Sequence, residues 1–347
     1  MPRTTISDVA RAAGVSKGAA SKALNGHKGV SEATRARVHD AAAALGWSAN
    51  AAARALSGAK AGAVGWALLR SPKSGSVDPY FVEMFSGVEL ELASTDLSLI
   101  VKLVSTHEQE IELYRRWAAE RRVDGVMLTD IFVDDPRPQL LQELELPLVM
   151  FSTGSRGAVP DPGVPFVWAD LSGSVDALLD HAWSLGHQRI GWIEGDPAKA
   201  APGLRERLSA TWAGQHDAEI TTLFTDHSPE QGAAAALELL ARDRPPTFIV
   251  FDNDVMALKG LSVCLQAGLS VPGDISLASF VDSPLCAASN PALTALQHPI
   301  ADQGRAMTRR LIEVISTGDV TDEGTDEGRE VPTPTLVARQ STGRAGR

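Results

Sequence analysis

Residues 4–24 of the chain read TTISDVARAAGVSKGAASKAL, and the fold of the N-terminal part can be predicted from this segment. The pattern predicts a helix over Ile6–Ala13, with Thr5 as its N-cap and Asp8 completing a capping box. Gly14 can adopt the positive φ that ends a helix, and Ser16 can cap a second helix over Lys17–Leu24. Two short helices separated by a tight, glycine-containing turn predict a helix-turn-helix unit.

A third helix is predicted over Glu32–Leu45, capped by Ser31 and followed by Gly46. Its face formed by Val38, Ala42 and Leu45 would complete a small core of alanine and valine. Such a core is small for an independent structural domain, so this head is expected to gain stability from a partner. An ordinary three-helix bundle is the alternative.

The distribution of charge indicates what that partner is. Residues 1–60 hold nine basic and three acidic residues, a net charge of +6, so that the remainder of a chain with net charge −11 carries −17. A basic head on an acidic body is typical of a head that binds a polyanion, and a solvated basic surface without a partner is the alternative. Residue types that bond phosphates and base edges are predicted to face outward at Ser16, Lys17, Ser21, Lys22, Asn25, Ser31 and Thr34.

The segment 50–58 follows the head and has high helix propensity, but it is too short to be stable alone. Its one large apolar residue, Leu56, has no local partner. We therefore predict a hinge helix that forms on docking, with Leu56 inserted between base steps in the minor groove. A plain alanine-rich linker is the alternative.

Length and composition exclude several classes of protein. The 347 residues suit two or three domains, no apolar run is long enough to cross a membrane, and no signal peptide is recognisable. Cys264 and Cys286 suggest neither a disulfide framework nor a zinc site. We find no dinucleotide fingerprint, phosphate-binding loop or nucleophile elbow, and His107-Glu108 lacks the second histidine of a zinc helix. The sequence predicts a cytoplasmic protein without catalytic activity, cofactor or metal.

The body alternates short apolar runs with amphipathic stretches, which predicts parallel sheets covered by helices on both faces. Its length favours two α/β lobes. Predicted strands are 63–69, 97–104, 125–129, 148–151, 189–193, 248–251, 275–281 and 335–339, and predicted helices are 80–93, 108–120, 172–185, 229–241, 255–267 and 300–317.

Ligands of such lobes bind beyond the carboxyl ends of the strands. The candidate ligand-binding residues are Tyr80, Phe81, Asp130, Ser152, Arg207, Asn253 and Asp282. For Asn253 a helix N-cap is the alternative role, and for Arg207 a surface ion pair.

The spacing of the N-terminal residues resembles the LacI/GalR family of bacterial transcription regulators. The resemblance is carried by Thr5-Ile6-x-Asp8-Val9-Ala10-x-x-Ala13-Gly14-Val15-Ser16, Ser21-x-x-Leu24-Asn25, Val30-Ser31-x-x-Thr34 and Asn50-x-x-Ala53-Arg54-x-Leu56. The body continues it with Gly186-His187-x-x-Ile190, Asn253-Asp254-x-Met256-Ala257 and Gly268-x-x-Val271-Pro272.

This resemblance implies a homodimeric regulator, most often a repressor, that binds double-stranded operator DNA. It implies a head with hinge helix (1–58) and an effector-binding, dimerising body of periplasmic-binding-protein type (59–347). The chain would cross between lobes near 159–163, 289–294 and 322–331, giving lobe 1 at about 61–160 and 293–322 and lobe 2 at about 163–290 and 330–342. The first positions of the recognition helix, Lys17 and Gly18, would set operator preference. Further DNA-binding positions are Thr5, Asn50, Ala53, Arg54 and Leu56, and Arg207 and Asn253 would bind a small effector, often a sugar. A solute-binding protein or an α/β enzyme with the same body is the alternative.

The chain also departs from the pattern of that family. Ala19-Ala20 and Lys22 stand where Thr-Val and Arg are commoner, and Ala49 replaces a proline before the hinge. Val281-Asp282 replaces a pair of acidic residues, and Ser152 stands where an aspartate is frequent. These changes predict an unusual operator. They also argue against a plain hexose and favour a more apolar or anionic ligand, or none.

Overall fold

The computed structural model describes residues 4–24, 29–47, 60–70, 79–154, 164–318 and 330–346. Two predictions lie outside these residues and stay predictions. They concern Asn25 and the hinge helix 50–58 with Asn50, Ala53, Arg54 and Leu56.

The head is a three-helix unit with the predicted turn. Helices α1 (Ile6–Ala12), α2 (Lys17–Leu24) and α3 (Glu32–Ala44) enclose Val9, Ala20 and Val38. Gly14 adopts φ +65°, and the Ser16 hydroxyl accepts the Ala19 N–H at 3.1 Å, so the turn and the cap of α2 are confirmed. The prediction for Leu45 was wrong: it is 39% exposed, because α3 ends at Ala44 and the chain turns so that Trp47 packs against the core.

Lobe 1 is a parallel sheet in the order β2-β1-β3-β4-β5-β11. Its strands are β1 (Ala63–Leu69), β2 (Ser98–Val104), β3 (Gly125–Leu128), β4 (Leu148–Gly154), β5 (Phe166–Asp170) and β11 (Glu330–Val331). The helices of this lobe are α4 (Pro79–Leu92), α5 (His107–Glu120), α6 (Arg137–Glu143) and α12 (Ile300–Thr317). Apolar clusters fill both faces of the sheet, as expected for parallel strands.

Lobe 2 repeats this architecture with the order β7-β6-β8-β9-β10-β12. Its strands are β6 (Arg189–Glu194), β7 (Glu219–Phe224), β8 (Phe248–Phe251), β9 (Ser276–Ser279), β10 (Thr294–Gln297) and the antiparallel edge strand β12 (Thr335–Val337). Its helices are α7 (Leu171–Ser184), α8 (Ala200–His216), α9 (Pro229–Leu240), α10 (Asp254–Gln266) and α11 (Pro284–Ala288). The fold class, a helical head with two mostly parallel α/β lobes, is therefore the predicted one.

The chain passes between the lobes three times, as expected, but later than predicted at each crossing. The first crossing follows β5. Residues 166–170 still pair with β4 of lobe 1, and α7 is the first element after them that packs on lobe 2. The second follows β10, which pairs with β9. The third lies between β11 and β12, at 332–334. The predicted lobe boundaries near 163, 293 and 330 are thus corrected to the ends of these strands.

The entry into lobe 1 is fixed by one carboxylate. Asp124 accepts the backbone N–H groups of Ala61 at 2.6 Å and of Gly62 at 2.7 Å, and Lys60 donates to the carbonyl oxygen of Ile315 at 3.2 Å. Residues 60–62 are therefore anchored both to the residue that precedes β3 and to α12.

Close packing of α4 on α12 requires glycine, and this gives a first prediction. A Cβ at Gly87 would overlap the backbone carbonyl of Ala301, whereas a Cβ at Gly214 in α8 meets no atom within 4 Å. Gly87→Ala is therefore expected to lower the free energy of unfolding by about 1–3 kcal/mol, since backbone must move. Gly214→Ala is expected to raise it by roughly 0.5–1 kcal/mol. Urea unfolding of both variants measures this, and equal effects would contradict the packing.

Candidate functional site

A cavity of about 670 Å³ lies between the two lobes, at the carboxyl ends of their strands. Lobe 1 contributes the residues after β1 and β3 and the start of α4, and lobe 2 contributes the residues after β6 and β8 and the start of α8. The volume lies in the range of about 300–1,000 Å³ that is typical of small-molecule sites. The position is the one at which open α/β sheets bind ligands.

The lobe 2 wall is built around one buried arginine. Arg205 on α8 donates to both carboxylate oxygens of Glu194. Its Nε lies 2.9 Å from Oε1 and 3.1 Å from Oε2, and its Nη2 lies 2.6 Å from Oε2. The same Nη2 lies 2.5 Å from Oδ1 of Asp252, and the other oxygen of Asp252 accepts from Nε2 of His227 at 2.5 Å. Arg205, Glu194 and Asp252 are each less than a tenth exposed. We call these four residues the arginine cluster.

Two carboxylates share one guanidinium in this cluster, so they titrate differently. Burial raises the pKa of Glu194 to about 7, the charge of Asp252 adds to this, and Arg205 offsets part of it. Burial would also raise the pKa of Asp252, but Arg205 and His227 together hold it well below its usual range. When the pair holds one proton, that proton is therefore on Glu194, and Glu194 rather than Asp252 titrates around neutral pH.

This assignment predicts how stability depends on pH. The folded-state pKa of Glu194 lies above its ordinary value of 4.5, so its contribution is fully present below that value and is lost as the pH rises towards about 7. Between pH 5 and pH 7.5 the free energy of unfolding should fall by roughly 2–3 kcal/mol relative to Glu194→Gln, which does not titrate. Asp252 acts in the opposite direction, but only at much lower pH. Urea unfolding at several pH values tests this, and parallel pH profiles for the two proteins would contradict it.

The lobe 1 wall carries a second arginine against an aromatic ring. The guanidinium carbon of Arg70 lies 3.9 Å from the centre of the Phe81 ring, and its Nη1 donates to Asp130 at 2.9 Å. The Tyr80 hydroxyl donates to Gln303 at 2.9 Å. Burial would raise the pKa of Asp130, but Lys199 and Arg70 hold it well below its usual range. Asp130 is therefore an ionised acceptor at the cavity wall.

Aromatic and imidazole rings line much of the remaining wall. The Phe132 ring packs edge-on to His107, with 4.2 Å between ring centres. His298 donates from Nε2 to the Phe280 carbonyl at 2.7 Å, and burial lowers its pKa to about 4. The ring is thus neutral near pH 7, which leaves Nδ1 as an acceptor. Apolar ring faces beside fixed polar groups suit a ligand with both apolar and hydroxylated surfaces.

The structure brings four of the seven predicted ligand residues to this cavity. Tyr80, Phe81, Asp130 and Asn253 line it. Asn253 also caps α10, because its Oδ1 accepts the Met256 N–H at 2.8 Å. The side chain of Ser152, on β4, lies outside the described part of the chain.

Two of the predicted ligand residues lie elsewhere. Arg207 is exposed and does not line the cavity, because it stands two residues after Arg205 and so on another face of α8. Asp282 does not line it either, since both of its oxygens are held by Arg339, at 2.9 and 2.6 Å. The residue before it, Val281, lines the cavity instead.

Sequence reasoning missed Arg205, Asp252, His227 and Lys199. Helix α8 was not predicted, although its buried residues are spaced as on one helical face, at Pro202, Arg205, Ser209, Trp212 and Ala213. Asp252 directly follows β8. Ligands of such sheets bind beyond the carboxyl ends of the strands, so Asp252 was as good a candidate as Asn253.

The head presents the predicted polar surface. Ser16, Lys17, Gly18, Lys22 and Ser31 are exposed, and Ser21 and Thr34 are half-buried. Thr5 is exposed, and its hydroxyl donates to Asp8 at 2.7 Å. The hydroxyl of Ser31 accepts the Thr34 N–H at 3.3 Å. The two lysines of α2 thus stand on its solvent-facing side, where a partner can reach them.

Two classes of feature are missing from the described residues. None of the helices they form is both long and apolar enough to span a bilayer. Nor do histidine, cysteine and carboxylate side chains in the described ranges gather into a group of three that could hold a metal ion.

Comparison with known proteins matches both parts of the chain. Residues 5–50 match the model of bacterial regulatory proteins of the lacI family, and residues 179–342 match a periplasmic binding protein-like domain. The HTH-type transcriptional regulator CelR of Thermobifida fusca is 31% identical over 327 residues, which cover 92% of this chain and 94% of that protein.

Solved structures of similar fold cover nearly the whole chain. A complex of transcriptional regulator CelR with cellobiose is 27% identical, with a TM-score of 0.71 over 98% of this chain and 100% of that chain. The Lac repressor dimer bound to operator and the anti-inducer ONPF has a TM-score of 0.80 at 22% identity, over 99% and 100% of the two chains, and so shares the fold. The chain therefore belongs to the lacI family of bacterial regulatory proteins, and it is a DNA-binding transcriptional regulator with an effector-binding body, not an enzyme.

Proposed function

We propose that the chain acts as a homodimer in the cytoplasm and represses transcription from an operator whose occupancy is controlled by a neutral saccharide of two sugar rings. In this proposal residues 1–58 bind the duplex and residues 59–347 bind the saccharide and dimerise. The cavity between the lobes carries the proposal, because its size, rings and acceptors together match such a ligand.

Charge in the cavity supports a neutral ligand. Among the described lining residues, the carboxylates of Asp130, Asp170, Asp196, Asp226 and Asp252 outnumber the cations Arg70, Lys199 and Arg205. An anionic ligand would be repelled by this excess, which argues against the anionic alternative. Carboxylates, amide and guanidinium groups bond hydroxyls well.

Residues on neighbouring elements supply hydrogen-bond acceptors in place of the acidic pair that is common in the family at 281–282. The side chain of Val281 cannot accept a hydrogen bond, but the Asp252 carboxylate stands at the end of β8, which pairs with β9 next to it. The acceptor His298 Nδ1 adds a further partner. The absence of an acidic pair at 281–282 is therefore compatible with a saccharide, and the bound cellobiose of the similar CelR structure supports two rings.

The DNA-binding half of the proposal rests on α2. Its exposed Lys17 and Lys22 would enter a major groove, while Ser16, Ser21, Ser31 and Thr34 would bond phosphates. The similar Lac repressor structure is a dimer on its operator, and two heads in a symmetric pair would read two half-sites.

Titration calorimetry on the full chain tests the ligand class. The probes are cellobiose and maltose as neutral disaccharides, a disaccharide with a uronic acid, and a purine base. We expect one neutral disaccharide to bind and to change operator affinity at least about tenfold. Binding of the purine or of the acidic sugar alone would replace the proposed ligand class.

A further inference from the structure

The two lobes are joined at the wall of the cavity by two backbone hydrogen bonds between segments 131–133 and 198–200. The Val133 N–H donates to the Ala198 carbonyl at 3.1 Å, and the Ala200 N–H donates to the Ile131 carbonyl at 2.8 Å. Phe132 and Lys199 form an isolated antiparallel bridge between them. Residues 131–133 follow β3 of lobe 1, and residues 198–200 precede α8 of lobe 2, so these bonds exist only while the lobes are close.

An ion pair between lobes lies beside this bridge. The Lys199 ammonium is 3.0 Å from Oδ1 of Asp130, while Oδ2 of Asp130 is held by Arg70 of lobe 1 at 2.9 Å. The side chains of Asp130, Lys199 and Arg70 are only about one-fifth exposed. Water and salt screen such a pair less than they screen a pair on the open surface.

Contacts within lobe 1 alone fix the position of Asp130. Asp130 adopts φ +51°, a conformation that non-glycine residues rarely adopt, and its carbonyl accepts from Nη2 of the buried Arg137 at 2.9 Å. Arg137 is fixed in turn by Glu110 at 2.9 Å and by Asp135 at 2.6 Å. The Asp130 carboxylate is therefore positioned in advance, and a lysine from the other lobe can meet it.

Lobe 2 connects its half directly to the arginine cluster. Lys199 immediately precedes α8, and Arg205 stands on the second turn of that helix. The loop before it is ordered by Asp196, whose carboxylate accepts the Ala198 N–H at 2.9 Å. Any shift of α8 that accompanies ligand contact at Arg205 is thus transmitted to Lys199 through one rigid element.

We infer that the Asp130–Lys199 ion pair, with the backbone bridge between 131–133 and 198–200, is an interlobe latch that biases the body towards its closed arrangement. Opening would return both charges to water, so the two arrangements differ by little free energy and a ligand can shift the balance. Lys199 is the positioning residue of this latch. A role of the latch in the response to an effector rests on the proposed function. Its effect on lobe closure is independent of that function.

The distance between the lobes in ligand-free, full-length protein tests the latch. Spin labels on cysteines introduced at the exposed Gln139 (α6) and Ala210 (α8) report it by pulsed electron spin resonance. The native Cys264 and Cys286 are buried, and burial raises the pKa of each thiol to about 11, so they are poor targets for the label. Labelled chains are diluted with unlabelled protein, so that only distances within one protomer are read.

The variant Lys199→Met keeps the side-chain stem and removes the charge. We expect the ratio of closed to open molecules to fall about fivefold, since a partly exposed pair is worth about 1 kcal/mol. Lys259→Met removes an exposed lysine of α10 and serves as the matched control, for which no change is expected. In a double-mutant cycle, Asp130→Asn should add little to Lys199→Met.

An unchanged distance distribution in Lys199→Met would overturn the latch, and so would the same shift in Lys259→Met. The same distance measurement with added cellobiose or maltose separates this inference from the proposed function. If cellobiose and maltose leave the distance unchanged while Lys199→Met still shifts it, the saccharide proposal fails and the latch stands.

Discussion

Replacing Arg205 by lysine is expected to abolish the response of operator binding to the cleft ligand, whereas replacing Arg207 by lysine leaves that response intact. Lysine keeps the positive charge but cannot donate to Glu194 and Asp252 at once, as the planar guanidinium does. The two buried carboxylates then lose hydrogen bonds that no other group in the cluster supplies. We expect ligand affinity to fall on the order of a hundredfold, equivalent to about 3 kcal/mol.

The comparison with Arg207→Lys isolates the cluster from general effects of the substitution. Both residues lie on α8, two positions apart, and only Arg205 is buried at the cavity. Calorimetric titration of both variants, with near-ultraviolet circular dichroism to confirm folding, gives the result. Equal losses of affinity, or a loss only in Arg207→Lys, would show that the arginine cluster is not the ligand site.

Replacing Lys17 by alanine is expected to broaden base preference in each half-site and to cost about 1–3 kcal/mol of operator affinity. Lys17 is exposed on the first turn of α2, and its neighbour Gly18 has no side chain with which to read a base. Lysine can donate to guanine O6 or N7 in the major groove. Discrimination at that position therefore depends on one ammonium group.

Arg11→Ala provides a control of equal charge. Arg11 lies on α1, its side chain is 78% exposed, and it pairs with Asp8 at 3.2 Å. Its removal should weaken binding to all duplexes by a similar factor and leave base preference unchanged. Selection from randomised operators measures both variants. An unchanged preference in Lys17→Ala would mean that other residues read the bases.

The regular elements of this chain were largely predictable from its sequence because their signals are local. Caps and glycines define α1 and α2, and runs such as Ala63–Leu69 and Phe248–Phe251 are apolar throughout, as buried parallel strands are. The short strand β5 was missed, although it is equally apolar. It follows a stretch rich in glycine and proline, which we interpreted as the crossing between lobes.

The ligand site was only partly predictable, because its key charges depend on tertiary contacts. Helix α8 begins with alanine, proline and glycine, and its buried face includes Arg205 and Ser209, so its apolar periodicity is weak. The sequence prediction named Arg207 and missed Arg205, which lines the cavity and stands two residues earlier on the same helix. The partnership of Asp282 with Arg339 joins segments 57 residues apart, and no local pattern shows it.

Recovery of DNA from the genome that encodes the protein tests whether the chain is an operator-specific regulator under the control of a saccharide. Purified full-length protein is mixed with sheared genomic fragments and random competitor at moderate salt, with and without cellobiose or maltose, and bound fragments are sequenced. We expect that a few fragments with two symmetric half-sites are enriched, and that a disaccharide changes their enrichment in the native protein but not in Arg205→Lys. Retention of every fragment in proportion to its abundance, with or without sugar, would contradict it.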